Sequence, residues 1–134
     1  MNTKINYGRG YVYSIKYHLV WCTKYRHKIL ENEVEIYLKE LLYEIAKSNG
    51  FEIQVMETDK DHIHLLLNCK PQHYIPSMVK ALKGNSAREM FKRFPELKDK
   101  LHKGHLWNPS YFVSTVSENT REQIEEYIKK QKQK

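Results

Sequence analysis

Long hydrophobic runs are missing from this 134-residue chain. The longest aliphatic or aromatic stretch is "LVWC", residues 19–22, far short of the roughly twenty apolar residues that cross a bilayer as a helix. Cysteine is scarce. Cys22 and Cys69 are the only two, which excludes a disulfide framework, and no secretory signal precedes them, so a reducing cytoplasm is the expected compartment. Paired C-x₂-C spacings are absent, which disfavours structural zinc. There is no internal repeat, low-complexity tract or linker, and no Walker-type phosphate loop. The length predicts one domain, residues 1–134, with a single modest core.

Positive charge and tyrosine are what the chain has in plenty. It carries a net charge of +7 and ten tyrosines. The charge is one-sided: residues 1–67 hold nine basic and nine acidic side chains, whereas residues 68–134 hold fourteen and seven. Residues 70–103 alone carry nine basic and three acidic groups. Such an asymmetry points to a polyanionic partner, nucleic acid first, over a merely solvated face.

"YVYSIKYHLVWC" (11–22) alternates, with Tyr11, Tyr13, Ile15, Tyr17, Leu19 and Trp21 on one parity, and predicts one long half-buried strand. "TKYRHK" is a basic turn, and Val34, Leu38, Leu41, Leu42 and Ile45 predict a helix over 33–49, ended by Gly50. "FEIQVME" (51–57) and "HIHLLLNC" (62–69) predict a hairpin turned at "TDKD". Pro76 opens a basic amphipathic helix over 76–94. Val79, Leu82, Met90 and Phe94 line its inner side, and Lys80, Lys83, Arg88 and Lys92 its outer side. Gly84 marks a weak point or a close approach of another backbone. Residues 95–110 predict a basic loop and 111–116 a strand. Thr120 with Gln123 predicts a capping box at the start of a final helix ending near Gln131. The order β-α-β-β-α-β-α is a ferredoxin-like (RRM-like) α+β arrangement, an antiparallel sheet with helices on one face, plus one helix left over.

His62 and His64 lie two apart on a predicted strand, so both imidazoles project from one face while Ile63, Leu65 and Leu67 face the core. Two imidazoles on a rigid strand can converge on a divalent ion, and a third ligand must come from elsewhere. A His-x-His pair also arises by chance in a chain with seven histidines. Asp59 and Asp61 just before the pair read equally as ligands, as partners of the histidines, or as turn formers.

In the final helix Ile124 and Ile128 form an apolar stripe, and Tyr127 and Gln131 lie four apart on an adjoining face. Tyr127 reads either as part of the packing or as a nucleophile. A phenol can attack a phosphodiester and hold the strand as a phosphotyrosine, although its ordinary pKa near 10 demands assistance. Gln131, one turn on, can offer an amide oxygen as the third ligand.

"KYHLVWCTKYRHKIL", "TDKDHIHLLL", "KALKGNSAR", "LWNPSYFVSTV" and "EYIKKQ" occur in that order through nearly the whole chain. In this the chain resembles the single-tyrosine transposases of the His-hydrophobe-His (HUH) endonuclease superfamily, which move insertion sequences as single-stranded DNA. The resemblance implies His62, His64 and Gln131 as ligands of Mg²⁺ or Mn²⁺ and Tyr127 as the nucleophile, giving a 5′-phosphotyrosine and a free 3′-OH. It also implies a homodimer whose tyrosine helix commonly acts in trans, and recognition of hairpin ends. By composition, contacts to DNA fall on Lys80, Lys83, Arg88 and Lys92, with Arg26 and Lys28 as further candidates.

A non-catalytic single-strand binder with aromatics on a ferredoxin-like sheet is the rival from another class; it leaves the His62, His64, Tyr127 and Gln131 constellation without purpose. A replication initiator or relaxase would be larger with another motif order. A two-histidine phosphodiesterase needs two H-x-T/S motifs, and this chain has neither.

Overall fold

The computed structural model describes residues 6–8, 11–13, 15–101, 104–116 and 120–131. Four strands build the main antiparallel sheet: β3 (Ile15–Cys22), β4 (Glu52–Thr58), β5 (His62–Cys69) and β6 (Phe112–Thr115), in the order β4-β5-β3-β6. Two short strands, β1 (Asn6–Gly8) and β2 (Tyr11–Tyr13), form a separate hairpin. The stretch expected to be one strand over 11–22 is thus divided between two sheets. Alternation reports which face a side chain takes, not which partner strand it meets, so the division was invisible to it. Ser14 and the side chains of Tyr11 and Tyr13 lie outside the described residues.

One face of the main sheet carries the core. Leu19, Trp21, Ile63, Leu65 and Leu67 pack against Leu38 and Leu42 of α1 (Asn32–Ser48) and against Val79, Leu82 and Met90 of the following helical stretch. That stretch begins with α2 (Ile75–Lys80), loosens into a π-turn (Ala81–Asn85) and continues as α3 (Ser86–Arg93). Gly84 sits in the π-turn, and a Cβ added there would meet nothing within 4 Å, so close approach of another backbone is not its reason. Within the expected loop a short helix, α4 (Leu97–Lys100), buries Leu97.

The last helix, α5 (Thr120–Gln131), lies against β3 and β6. It covers the sheet face opposite α1, and this changes the burial of β3. His18, on the second parity of a stretch expected to be half-buried, is 4% exposed, and Val20 and Cys22 beyond it are both 0% exposed. Ile124 of α5 is likewise buried. The side chain of Thr120, and with it the expected capping box, lies outside the described residues. Among the described residues no helix is long and apolar enough to cross a membrane.

Candidate active site

Cross-strand pairing places the histidines. His62 lies opposite Cys22 and His64 opposite Val20, and Val20 also faces Phe112 of β6. Directly opposed residues of an antiparallel pair share a face, so His18, Val20, Cys22, His62, His64 and Phe112 stand on the side that α5 covers. Core packing of Ile63, Leu65 and Leu67 leaves the intervening histidines no other direction.

Each imidazole is held by a different neighbour. Asp61, 5% exposed, takes His62 Nδ1 at 2.8 Å. Its other carboxylate oxygen accepts from Arg26 Nε at 3.0 Å and pairs with Nη2 at 2.9 Å. This fixes the Nδ1–H tautomer of His62 and leaves its Nε2 lone pair for a ligand, as in many metal sites. His64 Nε2 lies 2.7 Å from Nδ1 of His18. Burial, then the neighbouring His18, lowers the pKa of His64, so the ring is neutral near pH 7. Burial lowers that of His18 too, against a smaller opposing pull from Glu57.

Arg26 owes its position to a strained turn. Tyr25 and Arg26 both have φ of 54°, a left-handed conformation that costs of order 1–3 kcal/mol for a residue with a Cβ. Buried Thr23 offsets that cost: its hydroxyl donates to His27 O at 2.7 Å and its N–H to Asp61 O at 3.0 Å. From this turn Arg26 Nη1 also donates to Ile128 O of α5 at 3.4 Å. One guanidinium therefore joins the carboxylate behind His62 to the helix that carries Tyr127.

On that helix, Tyr127 and Gln131 meet over Ser110. The Ser110 hydroxyl is 2.7 Å from the Tyr127 hydroxyl, 3.1 Å from Gln131 Oε1 and 3.0 Å from Asn108 Oδ1. Serine has one proton. Donating it to either amide oxygen leaves Ser110 Oγ to accept from the phenol, so Tyr127 is the donor in the arrangement that satisfies most groups. The phenol ring packs on Phe112, with centroids 5.8 Å apart, and Gln131 is 3% exposed. Burial raises the Tyr127 pKa above its ordinary value, an effect opposed when Ser110 turns its proton towards the phenolate oxygen.

The structure thus groups the expected residues in two pairs on one sheet face: His62 with His64 on β5, and Tyr127 with Gln131 beside β6. No hydrogen bond links the pairs among the described residues, and β3 runs between them. Two imidazoles and an amide oxygen are suitable donors for a divalent ion. The free His62 Nε2, oriented by Asp61, fits that role; His64 Nε2 and Gln131 Oε1 are engaged by His18 and Ser110 and would exchange those partners for it.

The basic candidates separate by burial. Lys28, Lys80, Arg88 and Lys92 are exposed. Arg26 is half-buried and committed to Asp61. Lys83 is not on the outer side as expected: its ammonium donates to Asn108 O at 2.6 Å and Ser110 O at 3.0 Å, and burial lowers its pKa to about 8. The π-turn accounts for this, because an i→i+5 turn shifts the register on which the outward assignment relied. Asp61 is the partner of His62, and exposed Asp59 is a turn former that accepts from Lys60 N at 2.7 Å. His18 and Ser110 were not singled out from the sequence. Ser110 sits in the "LWNPS" stretch, but nothing in a linear pattern gives the register that brings His18 to His64.

An antiparallel sheet backed by helices on one face, with two histidines on the other face beneath a helix that carries a tyrosine, is the architecture of a family of DNA-cleaving and rejoining enzymes. Residues 11–131 match the profile of the family described as "Transposase IS200 like", and the chain belongs to that family, whose members cleave and rejoin DNA. It is 58% identical to the ISDra2 transposase TnpA of Deinococcus radiodurans, over 95% of this chain and 91% of that protein. It is 33% identical to the transposase for insertion sequence element IS200 of Salmonella typhimurium, over 89% and 78%. A crystal structure of a Deinococcus radiodurans chain described as a transposase superposes with a TM-score of 0.90 at 56% identity, covering 94% of this chain and 97% of the other. A REP-associated tyrosine transposase bound to a REP hairpin shares the fold, with a TM-score of 0.55 at 13% identity, over 90% and 67%.

Proposed function

We propose that this transposase acts on single-stranded DNA with hairpin ends, using Tyr127 as its nucleophile, with residues 1–134 working as one domain. The observation that supports this reading is the docking of Tyr127 and Gln131, over Ser110, on the sheet face that bears His62 and His64. The Tyr127 oxygen bonds to phosphorus and the bond to the 3′ oxygen breaks, giving a 5′-phosphotyrosine and, once protonated, a free 3′-OH. That hydroxyl then attacks another phosphotyrosine, rejoins the strands and returns the phenol. The covalent link conserves the bond energy, so no nucleotide hydrolysis is required.

His62, His64 and Gln131 would hold a divalent ion, Mg²⁺ or Mn²⁺, which when bound polarises the scissile phosphate and absorbs its developing charge. Asp61 keeps His62 in the tautomer that presents Nε2, and Arg26 holds the Asp61 carboxylate in place. Ser110 accepts the phenolic proton's hydrogen bond and fixes the direction in which the Tyr127 oxygen points. Lys28, Lys80, Arg88 and Lys92 offer cations to the DNA backbone, which positions a strand without reading its sequence. The working unit is a homodimer. The contacts of α5 with its own sheet support action in cis, and exchange of α5 between protomers would rebuild the same contacts in trans.

The test is a denaturing gel for a covalent protein–DNA adduct on single-stranded DNA from the gene's own flanks, with Mg²⁺ or EDTA. A metal-dependent adduct absent from Tyr127→Phe is the expected result. An adduct that survives in Tyr127→Phe reassigns the nucleophile. Tight binding with no adduct on any hairpin-bearing strand favours the non-catalytic binder.

A further inference from the structure

A cleft of about 450 Å³ opens between the π-turn and the loop that leads to Ser110. Gly84 and Phe91 line it from the helical stretch and Trp107, Asn108 and Pro109 from the loop, with the amines of Lys24 and Lys83 and the imidazole of His105 also in its lining. None of this belongs to the constellation of His62, His64, Tyr127 and Gln131. We propose that the cleft binds one unstacked nucleotide of a single DNA strand, seated against the loop that holds Tyr127. The nature of the ligand rests on the reading of the chain as a single-strand transposase.

Four observations carry this. The volume falls in the range of small-molecule sites, about 300–1,000 Å³, and the lining is largely apolar with aromatic members, as the flat face of a base requires. The amines of Lys24 and Lys83 complement the phosphate attached to that base. Asn108, 2% exposed, keeps its side-chain Nδ2 without a hydrogen-bond partner among the described residues. A buried amide donor without an acceptor is rare, and base edges carry the carbonyl and ring-nitrogen acceptors that a small shift of Asn108 would reach. Finally, Gly84 keeps the space open at a helical position where alanine would be more stable; a Cβ there would meet nothing within 4 Å. Duplex DNA keeps its bases stacked and paired, so the cleft selects single strands.

Occupancy would be felt at the nucleophile. Lys83 ties Asn108 O and Ser110 O to the helix, and the Ser110 hydroxyl holds Tyr127. The cleft and the phenol therefore share one three-residue segment, Asn108 to Ser110.

The experiment places 2-aminopurine at successive positions of a hairpin-bearing single strand and measures its emission with Tyr127→Phe protein, which keeps binding separate from chemistry. The variants Gly84→Leu, which fills the cleft, and His105→Glu, which places a negative charge at its rim, are built on that background. One position is expected to change emission on binding and to lose that change in Gly84→Leu, with affinity falling about tenfold, the loss of one stacked base. Emission changes that Gly84→Leu leaves intact overturn the proposal, as does equal affinity for duplex of the same sequence. If circular dichroism shows Gly84→Leu unfolded, His105→Glu decides: severalfold weaker binding at that same position supports the cleft, and unchanged binding overturns it. Absence of a covalent adduct with wild type on this strand would overturn the Tyr127 reading alone, because the emission data do not depend on it.

Discussion

The two halves of the site are built differently. The histidine half stands on β5, which is paired on both sides, to β3 along eight positions and to β4 through a bulge. The tyrosine half rests on β6, four residues long and paired to β3 alone, and on a helix whose described polar ties to the rest of the chain are those of Tyr127, Gln131 and the Ile128 carbonyl. A centrally paired strand opens only with the whole sheet, whereas an edge strand and a terminal helix can shift at smaller cost. Rigid ligands beside an adjustable nucleophile suit a reaction in which a phosphotyrosine must form, be held, and be attacked from another strand end.

The most severe test of this contrast removes one member from each half. Tyr127→Phe is expected to abolish the adduct and leave hairpin binding intact, as a mobility-shift assay would show; loss of binding as well would make the phenol part of the DNA surface. Asp61→Asn is expected to weaken the dependence on Mn²⁺ by 10–100-fold, the usual consequence of losing a partner behind a histidine ligand. A Mn²⁺ titration of adduct formation reads this, and an unchanged midpoint would detach Asp61 from the metal.

Arg26 tests the link between the halves. Arg26→Ala leaves the buried Asp61 carboxylate without its cationic partner, the His62 Nδ1 contact remaining, which costs about 3 kcal/mol. Lys28→Ala, two residues on but exposed, is expected within about 0.5 kcal/mol of wild type. Urea unfolding of both variants distinguishes a structural arginine from a DNA contact: if the two destabilise equally, the Arg26 bridge contributes nothing.

Ser110→Ala is expected to slow adduct formation about tenfold, the worth of one hydrogen bond, without moving the Mn²⁺ midpoint. Combined with Asp61→Asn, the two losses should add if the halves are independent, and departure from additivity in single-turnover rates would measure their coupling. The smallest effect concerns Lys83. Its folded pKa of about 8 lies below the ordinary 10.5, so between those values the unfolded chain binds more protons and stability rises with pH. Lys83→Met lacks this titration. The stability difference between wild type and Lys83→Met should therefore shift in favour of wild type from pH 8 upward, as measured by denaturant unfolding at each pH.

Periodicity alone determined much of this protein. The period-two pattern of "HIHLLLNC" put both histidines on one face because Ile63, Leu65 and Leu67 had to enter the core, and residues 62–69 are the strand observed. The four-residue step from Tyr127 to Gln131 set them on one side of a helix, and both reach Ser110. The core-ward path of Cys69 followed from the same parity; its thiol meets Met78 Sδ at 3.6 Å. What depends on pairing partners was decided only in three dimensions. Register between β3 and β5 brought His18 to His64, 46 positions away in sequence. The covering of the second sheet face by α5 buried Val20 and Cys22, whose thiol is raised to about 11. The π-turn rotated Lys83 from the outer surface onto the Asn108–Ser110 segment. A linear pattern encodes the direction of each side chain from its own backbone, whereas the group it meets is fixed by long-range closure of the sheet, to which local sequence is blind.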